Sequence, residues 1–333
     1  MTLVNTQCRL AARPVGLPNI SDWEIVERPV ESPADDEFLV RVEYVSVDPA
    51  MRTWMNAGRS YVPPVELGEV MRAGGVGRVV ESRNANFAVG DEVYGVFGVQ
   101  RYAVSDGRGV TRVDTAIAPA PVHLGALGVS GLTAYFGLLD VGRPEPGQTV
   151  VVSGAAGSVG SIAGQIARIK GCRAIGIAGG EEKCRWLVED LGFDGAIDYK
   201  AANLREQLKA QAPNGIDVFF DNTSGPIHDA VLRAINLHAR IAICGTASYA
   251  SWDPWNEGPR PERHLLVKRA TMQGFLTTDF APLYEQAIMD LIKWIREGQL
   301  RYREDVLEGI ESAPGSIAKL YSGANSGKLI IRL

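Results

Sequence analysis

VVVSGAAGSVG, residues 150–160, is the stretch that decides the fold. Its three consecutive valines predict a buried strand, and Gly154, Gly157 and Gly160 follow at intervals of three. The isoleucines of residues 162–169 then recur at the spacing of one helix face. Backbone N–H groups and the helix dipole favour an anion at a helix start, so the stretch predicts a phosphate-binding turn. Because its GxxGxxG spacing differs from the commoner GxGxxG, a tight turn without a nucleotide stays open here.

Length and charge bound the class of protein. The chain has 333 residues, enough for two domains with full cores. Its net charge of -5 argues against nucleic acid or an anionic membrane as partner, since phosphate groups attract basic surfaces. No apolar run approaches the roughly 20 residues that span a bilayer, and MTLVNTQCRLAARPVG lacks a signal-peptide core. We therefore expect a cytoplasmic protein with neither partner.

The cysteines and histidines give no sign of a metal site. The chain has four of each, and they are scattered without a CxxC pair. Structural zinc sites show clustered Cys or His ligands, so we expect no metal. Small buried apolar residues in a reducing compartment are the simpler interpretation of the cysteines.

The order of predicted elements changes near residue 121. Before it the chain is rich in Gly, Pro and short β-like runs, which predict a loop-rich β domain. After it, strands alternate with helices, and repeated βαβ units demand a doubly wound parallel sheet. A terminal strand at 328–333 would return to the N-terminal domain. The predicted later elements are helix 226–238, strand 240–244, strand 271–277, helix 281–297 and helix 308–322.

The residues at the ends of three predicted strands favour a particular nucleotide. The second strand of the alternating region ends in Ala178-Gly179-Gly180, where an NAD site would place an acid. With that acid absent and Lys183 nearby, the pattern favours the 2′-phosphate of NADPH, the alternative being a solvated helix lysine. Asn222 and the Cys244-Gly245 pair follow later strands, where small polar groups suit ribose and nicotinamide, although turn chemistry also favours them. The tryptophan-rich segment 248–263 predicts a functional loop or a self-packed surface excursion.

These residues carry a family resemblance over nearly the whole chain. The sequence resembles the medium-chain dehydrogenase/reductase superfamily, and within it the zinc-independent NADPH-dependent alkenal/one oxidoreductases, 15-oxoprostaglandin 13-reductases and curcumin-reductase-like proteins. The stretches that carry it include SVDPAMR (46–52), GLTAYFGLLDVG (131–142), LGFDGAIDYK (191–200), FFDNTSG (219–225) and GANSGKLII (323–331).

The resemblance implies a fold, a cofactor and site residues. It implies a GroES-like β-barrel substrate domain (1–122, with 303–333 returning to it), a Rossmann NADPH-binding domain (123–302) and a homodimer. The positions that match the family's cofactor-binding pattern, together with Gly179 from the strand-end argument, are Thr133, Gly157, Ser158, Val159, Gly160, Gly179, Lys183, Tyr199, Asn222, Cys244, Gly245, Phe275, Leu276, Thr277 and Asn325.

The substrate end departs from the family pattern. Ala50 stands where the family often has tyrosine, and Tyr249 is displaced by one residue from the family's active-site tyrosine. The chemistry implied is metal-free reduction of the activated C=C bond of an enal or enone, with hydride transferred to the β-carbon. The cofactor's own ribose 2′-OH or a tyrosine hydroxyl, of Tyr249 or Tyr61, would donate a hydrogen bond to the carbonyl oxygen, where charge develops. A packing role is the alternative for each tyrosine. An NADPH:quinone oxidoreductase and a non-catalytic NADPH-binding protein are the alternatives.

Overall fold

The structure, a computed structural model, describes residues 3–58, 60–201, 203–252 and 254–333. Its contacts divide the chain into two units: unit 1 is Met1–Leu124 with Glu304–Leu333, and unit 2 is Gly125–Arg303. No helix of the described residues has the length and apolar character needed to cross a membrane.

The strands are numbered along the chain. They are β1 (Val4–Leu10), β2 (Trp23–Pro29), β3 (Phe38–Ser46), β4 (Gly75–Ser82), β5 (Glu92–Gly95), β6 (Tyr102–Ser105), β7 (Thr111–Arg112), β8 (Thr149–Ser153), β9 (Arg173–Ala178), β10 (Gly195–Asp198), β11 (Ile216–Asp221), β12 (Ile235–Ile243), β13 (Thr271–Gly274), β14 (Glu304–Glu308) and β15 (Lys328–Arg332).

The α-helices are numbered in the same way. They are α1 (Ala50–Trp54), α2 (Val129–Phe136), α3 (Ser158–Ile169), α4 (Glu181–Glu189), α5 (Leu204–Gln211), α6 (Gly225–Leu232), α7 (Glu262–Lys268), α8 (Tyr284–Arg296) and α9 (Ser316–Ser322). A π-helical segment, Gly137–Gly142, follows α2, and a 3₁₀ segment, Thr277–Leu283, precedes α8.

Unit 1 is built on a mixed sheet with the order β14-β15-β3-β4-β5-β7, and β6 pairs with β3. The terminal strand β15 runs antiparallel to β3 and parallel to β14, so the end of the chain completes the sheet of the N-terminal segment. Beside this sheet, β1 and β2 form an antiparallel pair. The core of the unit includes Phe38, Val40, Met51 and Ile331, each at most 2% exposed.

Unit 2 carries a parallel sheet with the order β10-β9-β8-β11-β12-β13. This is the doubly wound order of dinucleotide-binding folds. The first three strands are added toward one edge of the sheet, and the next three are added toward the other edge. The switch point lies between β8 and β11 here. The strands at the centre are apolar on both faces, as buried parallel strands must be, and Val151, Ile175 and Phe219 are fully buried.

Three predicted elements differ from the structure. The predicted helix 226–238 ends at Leu232, because Ile235 joins the sheet beside Ile216 and opens β12. The predicted helix 308–322 is wrong in its first half: strand β14 occupies Glu304–Glu308, a short 3₁₀ turn follows at Ile310–Ser312, and the α-helix is confined to Ser316–Ser322. The predicted strand 271–277 ends at Gly274, and a 3₁₀ segment begins at Thr277.

The cysteines are all free thiols. Cys8 and Cys172 are buried, as expected for small apolar residues, whereas Cys184 and Cys244 are only partly buried. The structure therefore matches the interpretation of buried apolar cysteines at two positions and departs from it at the other two.

Helix α3 packs closely against Phe193, in the segment between α4 and β10, because Gly164 has no side chain. A Cβ at this position would lie 2.0 Å from Cζ of Phe193, a ring that is itself 2% exposed. Alanine in place of a helical glycine stabilises a helix by about 1 kcal/mol, but overpacking of a tight core costs about 1–3 kcal/mol. We expect the packing effect to exceed the propensity effect, so Gly164→Ala should lower the free energy of unfolding in a urea titration.

The matched control is the same substitution made together with Phe193→Leu. The smaller side chain leaves room for the methyl group, so the loss caused by Gly164→Ala should shrink in that background. A Gly164→Ala protein that unfolds at higher urea than the unaltered protein would contradict this account of the packing.

Candidate functional site

The glycine turn lies at the end of β8 and leads directly into α3. Gly154 has a φ of 58°, and Gly157 precedes the first residue of the helix. A Cβ on Gly160 would lie 2.4 Å from the carbonyl oxygen of Gly154, so only glycine permits this approach of helix to turn. The first N–H groups of the helix, in Ser158 and Val159, have no intrahelical acceptor. The turn therefore presents unpaired donors at the positive end of a helix dipole, which suits a pyrophosphate.

Tyr199 and Lys200 cover the end of the second strand. A Cβ on Gly179 would lie 2.9 Å from both the Tyr199 hydroxyl and Cε of Lys200. Asp198, the acid closest to this strand end along β10, accepts hydrogen bonds from the N–H groups of Gly180 (2.8 Å) and Lys200 (2.9 Å). Its Oδ1 is engaged with the backbone, and the side chains that close over Gly179 are a phenol and an ammonium. Lys183 lies nearby in sequence, in the first turn of α4.

The ends of β11 and β12 are joined by hydrogen bonds. The N–H groups of Cys244 and Gly245 donate to the carbonyl oxygen of Asp221, at 2.8 and 3.1 Å. Asn222 donates its side-chain Nδ2 to the carbonyl oxygen of Ser153 at 2.7 Å, which ties it to the end of β8. Burial raises the pKa of the Cys244 thiol to about 12, with the Asp221 charge adding to the shift. At neutral pH this cysteine is a neutral thiol and not a nucleophile.

The loop after β12 is docked on the same turn. The N–H groups of Ala247 and Ser248 donate to the carbonyl oxygens of Asn222 and Thr223, at 3.2 and 2.8 Å. Tyr249 follows, and its hydroxyl lies 3.3 Å from the position that a Cβ on Gly225 would occupy. The loop therefore brings the phenol of Tyr249 next to the start of α6.

An aromatic row continues from Tyr249 along the loop. Its ring packs edge-to-face on Trp252 with centroids 5.2 Å apart, and Trp252 packs on Trp255 at 5.0 Å. Trp255 is 77% exposed, so the row runs from the strand ends toward solvent. The segment 248–263 thus contains self-packed aromatics, as one of the two sequence interpretations had it, and it ends in α7; Asp253 lies outside the described residues.

Thr133 and Thr277 meet although 144 positions separate them in sequence. Their hydroxyl oxygens are 2.6 Å apart, which joins α2 to the 3₁₀ segment that precedes α8. The ring of Phe275 packs edge-on against Phe220 of β11, with centroids 6.4 Å apart. Leu276, between them in sequence, is 39% exposed. Phe275 and Thr277, which follow β13, therefore contact β11 and α2.

The remaining predicted residues belong to unit 1, where each has its own local environment. Asn325 donates its side-chain nitrogen to the carbonyl oxygen of Gly327 at 3.1 Å. Tyr61 is 53% exposed. Partial burial of its side chain raises the pKa of the phenol above the usual value. Ala50 begins α1, and the preceding motif residue Asp48 forms an ion pair with the buried Lys328.

Sequence reasoning missed four polar residues that the structure places at these strand ends. Ser153, Asp221 and the partly buried His228 of α6 form a hydrogen-bonded network beside Asn222, and Lys200 lies over Gly179. The only sequence signal for Asp221 was a charged residue closing an apolar strand. Lys200 had the signal of directly following Tyr199.

The geometry of unit 2 fits a dinucleotide. The glycine turn leaves backbone donors for a pyrophosphate, and the absence of a side chain at Gly179 lets Tyr199 and Lys200 pack against the end of β9. Among residues 3–58, 60–201, 203–252 and 254–333, no three His, Cys, Asp or Glu side chains group in a way that could hold a metal ion. The expectation of metal-free chemistry itself stays a prediction.

Comparison with known proteins identifies the family. Residues 6–113 match the family described as the N-terminal domain of oxidoreductase, and residues 158–294 match the family described as zinc-binding dehydrogenase. The NADPH-dependent curcumin reductase of Escherichia coli is 40% identical, with 99% of this chain and 97% of the relative covered. Prostaglandin reductase 1 of Bos taurus is also 40% identical, with 96% of each covered.

A solved structure agrees with these relatives. The crystal structure of CurA from Vibrio vulnificus in complex with NADPH superimposes with a TM-score of 0.94 at 42% identity, over 98% of both chains. The resemblance inferred from the sequence, and the α/β fold with a parallel Rossmann-type sheet, are thereby confirmed. The chain belongs to the medium-chain dehydrogenase/reductase superfamily, among the relatives of the curcumin and prostaglandin reductases.

Proposed function

We propose that this protein reduces the activated C=C bond of α,β-unsaturated aldehydes and ketones with NADPH. The observation that carries the proposal is the row of strand ends in unit 2. It has a glycine turn that exposes backbone donors, a second strand end that bears no acid of its own and is covered by Tyr199 and Lys200, and an amide-bearing turn at Asn222. The names of the relatives, an NADPH-dependent curcumin reductase and a prostaglandin reductase, support the same reaction class.

The cofactor would lie along the carboxyl ends of the strands, as in other doubly wound sheets. Gly157, Ser158, Val159 and Gly160 would hold the pyrophosphate. Gly179, Lys183 and Tyr199 would hold the adenosine end and its 2′-phosphate. The residues proposed for the nicotinamide end are Thr133, Asn222, Cys244, Gly245, Phe275, Leu276, Thr277 and Asn325.

The chain's own chemical task is to stabilise charge on the substrate oxygen. Bound NADPH would supply a hydride to the β-carbon of the substrate, and a proton from water would then complete the reduction at the α-carbon. During hydride transfer, negative charge develops on the carbonyl oxygen, and a preorganised donor aimed at that oxygen is usually the largest catalytic contribution. We propose Tyr249 as this donor, because hydrogen bonds dock its loop on the Asn222 turn. Tyr61 is the second candidate, and its raised pKa keeps its phenol protonated across the neutral range.

A panel of acceptors tests the reaction class. NADPH oxidation should be fast with conjugated enals and enones and slow with their saturated counterparts and with quinones. A preference for quinones would replace this proposal by the quinone reductase alternative, and NADPH binding without oxidation by any acceptor would favour the non-catalytic one. A homodimer and a cytoplasmic location also stay predictions from the resemblance and the sequence.

Lys183→Ala tests the assignment of the 2′-phosphate. Loss of one charge-assisted contact to phosphate costs about 1.5–3 kcal/mol, so the KM for NADPH should rise roughly tenfold to a hundredfold. The KM for NADH, which lacks the phosphate, should hardly change. Lys209→Ala on α5 is the control for loss of a surface lysine and should alter neither value. Equal use of NADH and NADPH by the unaltered protein would contradict the assignment.

Tyr249→Phe tests the hydrogen-bond donor. Removing one donor to a developing oxyanion costs about a hundredfold to a thousandfold in kcat, while the affinity for NADPH should be retained. Tyr61→Phe is the matched variant in unit 1, and comparing the two kcat values assigns the role. If neither substitution lowers kcat by more than about threefold, the donor proposed here is wrong.

A further inference from the structure

The carboxylate of Asp221 is buried at the switch point of the parallel sheet. The residue closes β11 and is 0% exposed. Its Oδ1 accepts hydrogen bonds from the Ser153 hydroxyl at 2.8 Å and from the N–H groups of Thr223 (3.0 Å) and Ser224 (2.9 Å). A buried carboxylate is stable only when its acceptor positions are satisfied, because desolvation of an unpaired charge is expensive.

His228 satisfies the other oxygen of this carboxylate. It lies on α6, and its Nδ1 is 2.7 Å from Oδ2 of Asp221. The side chain is 13% exposed, and its ring lies against Phe219 with centroids 6.0 Å apart. Since an ionised carboxylate only accepts hydrogen bonds, Nδ1 carries the hydrogen in this contact.

Ser153 forms hydrogen bonds with both Asp221 and Asn222, and so links the orientation of the Asp221 carboxylate to that of Asn222. Its hydroxyl donates to Oδ1 of Asp221 and accepts from the backbone N–H of Asn222 at 2.9 Å. The Ser153 carbonyl oxygen accepts from the Asn222 amide at 2.7 Å. Both the backbone and the side chain of Asn222 are therefore fixed by a residue that Asp221 itself orients.

The turn that this network holds is strained. Ser224 has φ 58° and ψ −158°, a region that is essentially restricted to glycine. Such a conformation persists only where the surroundings over-determine it. The N–H of Ser224 donates to the Asp221 carboxylate, which supplies part of that constraint. Loosening the carboxylate would let this turn relax, and the loop that bears Tyr249 is docked on the same turn.

We propose that His228 is a positioning residue of the nicotinamide end. By donating to Oδ2 of Asp221 it holds the carboxylate in the orientation that fixes Ser153, and through Ser153 it sets the position of Asn222. The inference rests on the proposed function in one respect, which is that Asn222 faces the nicotinamide end of NADPH. It assigns His228 no contact with cofactor or substrate.

The experiment compares two ligands that differ in the end of the site they occupy. NADPH fills the whole site, whereas adenosine 2′,5′-bisphosphate carries only the adenosine and phosphate end. We expect His228→Leu to weaken NADPH about tenfold, the equivalent of one hydrogen bond to a charged group, and to leave the bisphosphate within about twofold. Nicotinamide fluorescence gives the first dissociation constant, and displacement titration gives the second.

Three variants separate positioning from general destabilisation. His228→Asn retains an N–H near the position of Nδ1 and should restore NADPH affinity to within about twofold. Ser153→Ala removes the link to Asn222 and should reproduce the loss for NADPH alone, so it tests the proposal even if His228→Leu does not fold. His264→Leu on α7 is the control and should change neither ligand.

Other outcomes overturn the inference. Equal weakening of both ligands by His228→Leu would mean a merely structural role, and so would a failure of His228→Asn to restore affinity. No effect of either His228→Leu or Ser153→Ala on NADPH would also overturn it. Failure of the proposed function is distinguishable: the unaltered protein would then bind NADPH with this pattern of variants but reduce no enone. An unaltered protein that does not bind NADPH would contradict both.

Discussion

The hydrogen bond between Ser153 and Asp221 joins β8 and β11, the two strands between which the strand order of the sheet in unit 2 reverses. It is buried, and it connects the end of β8, where the glycine turn begins, to the end of β11, where Asn222 begins. A charge in this position is tolerable only with a complete set of donors. The requirement for donors fixes the backbone of the turn after β11. The carbonyl oxygens of this turn accept hydrogen bonds from the loop after β12 and hold that loop in place.

The two ends of the candidate site are built differently. One end depends on glycines, and the other depends on buried polar groups. At the end proposed for the pyrophosphate and adenosine, glycines permit close packing: a Cβ at Gly160 or Gly179 would meet backbone or covering side chains at 2.4 to 2.9 Å. At the other end the chain is held by hydrogen bonds among Ser153, Asp221 and Asn222. The first arrangement leaves backbone donors that suit a phosphate, and the second keeps an amide in one orientation.

Much of the fold of unit 2 and of its candidate site could be predicted from the sequence, because valine runs, glycine spacing and strand–helix alternation are local signals. The strand end without an acid also predicted the cofactor class. The prediction failed where tertiary pairing overrode local pattern. Residues 233–238 continue a helical pattern, yet Ile235 joins the sheet beside Ile216. Gly309 and Gly315, both at positive φ, interrupt the predicted helix 308–322. The network around Asp221 was missed because its members come from two strands, a turn and a helix, and no sequence spacing reveals their contact.

Isotope transfer from labelled cofactor tests the central claim, that this site directs a hydride to carbon in a conjugated C=C bond. An aromatic or aliphatic enone would be reduced with NADPH that carries deuterium at the transferable position of nicotinamide C4, and the product analysed by NMR. The account predicts a saturated ketone with a single deuterium on the former β-carbon. An allylic alcohol with deuterium on the former carbonyl carbon would contradict it.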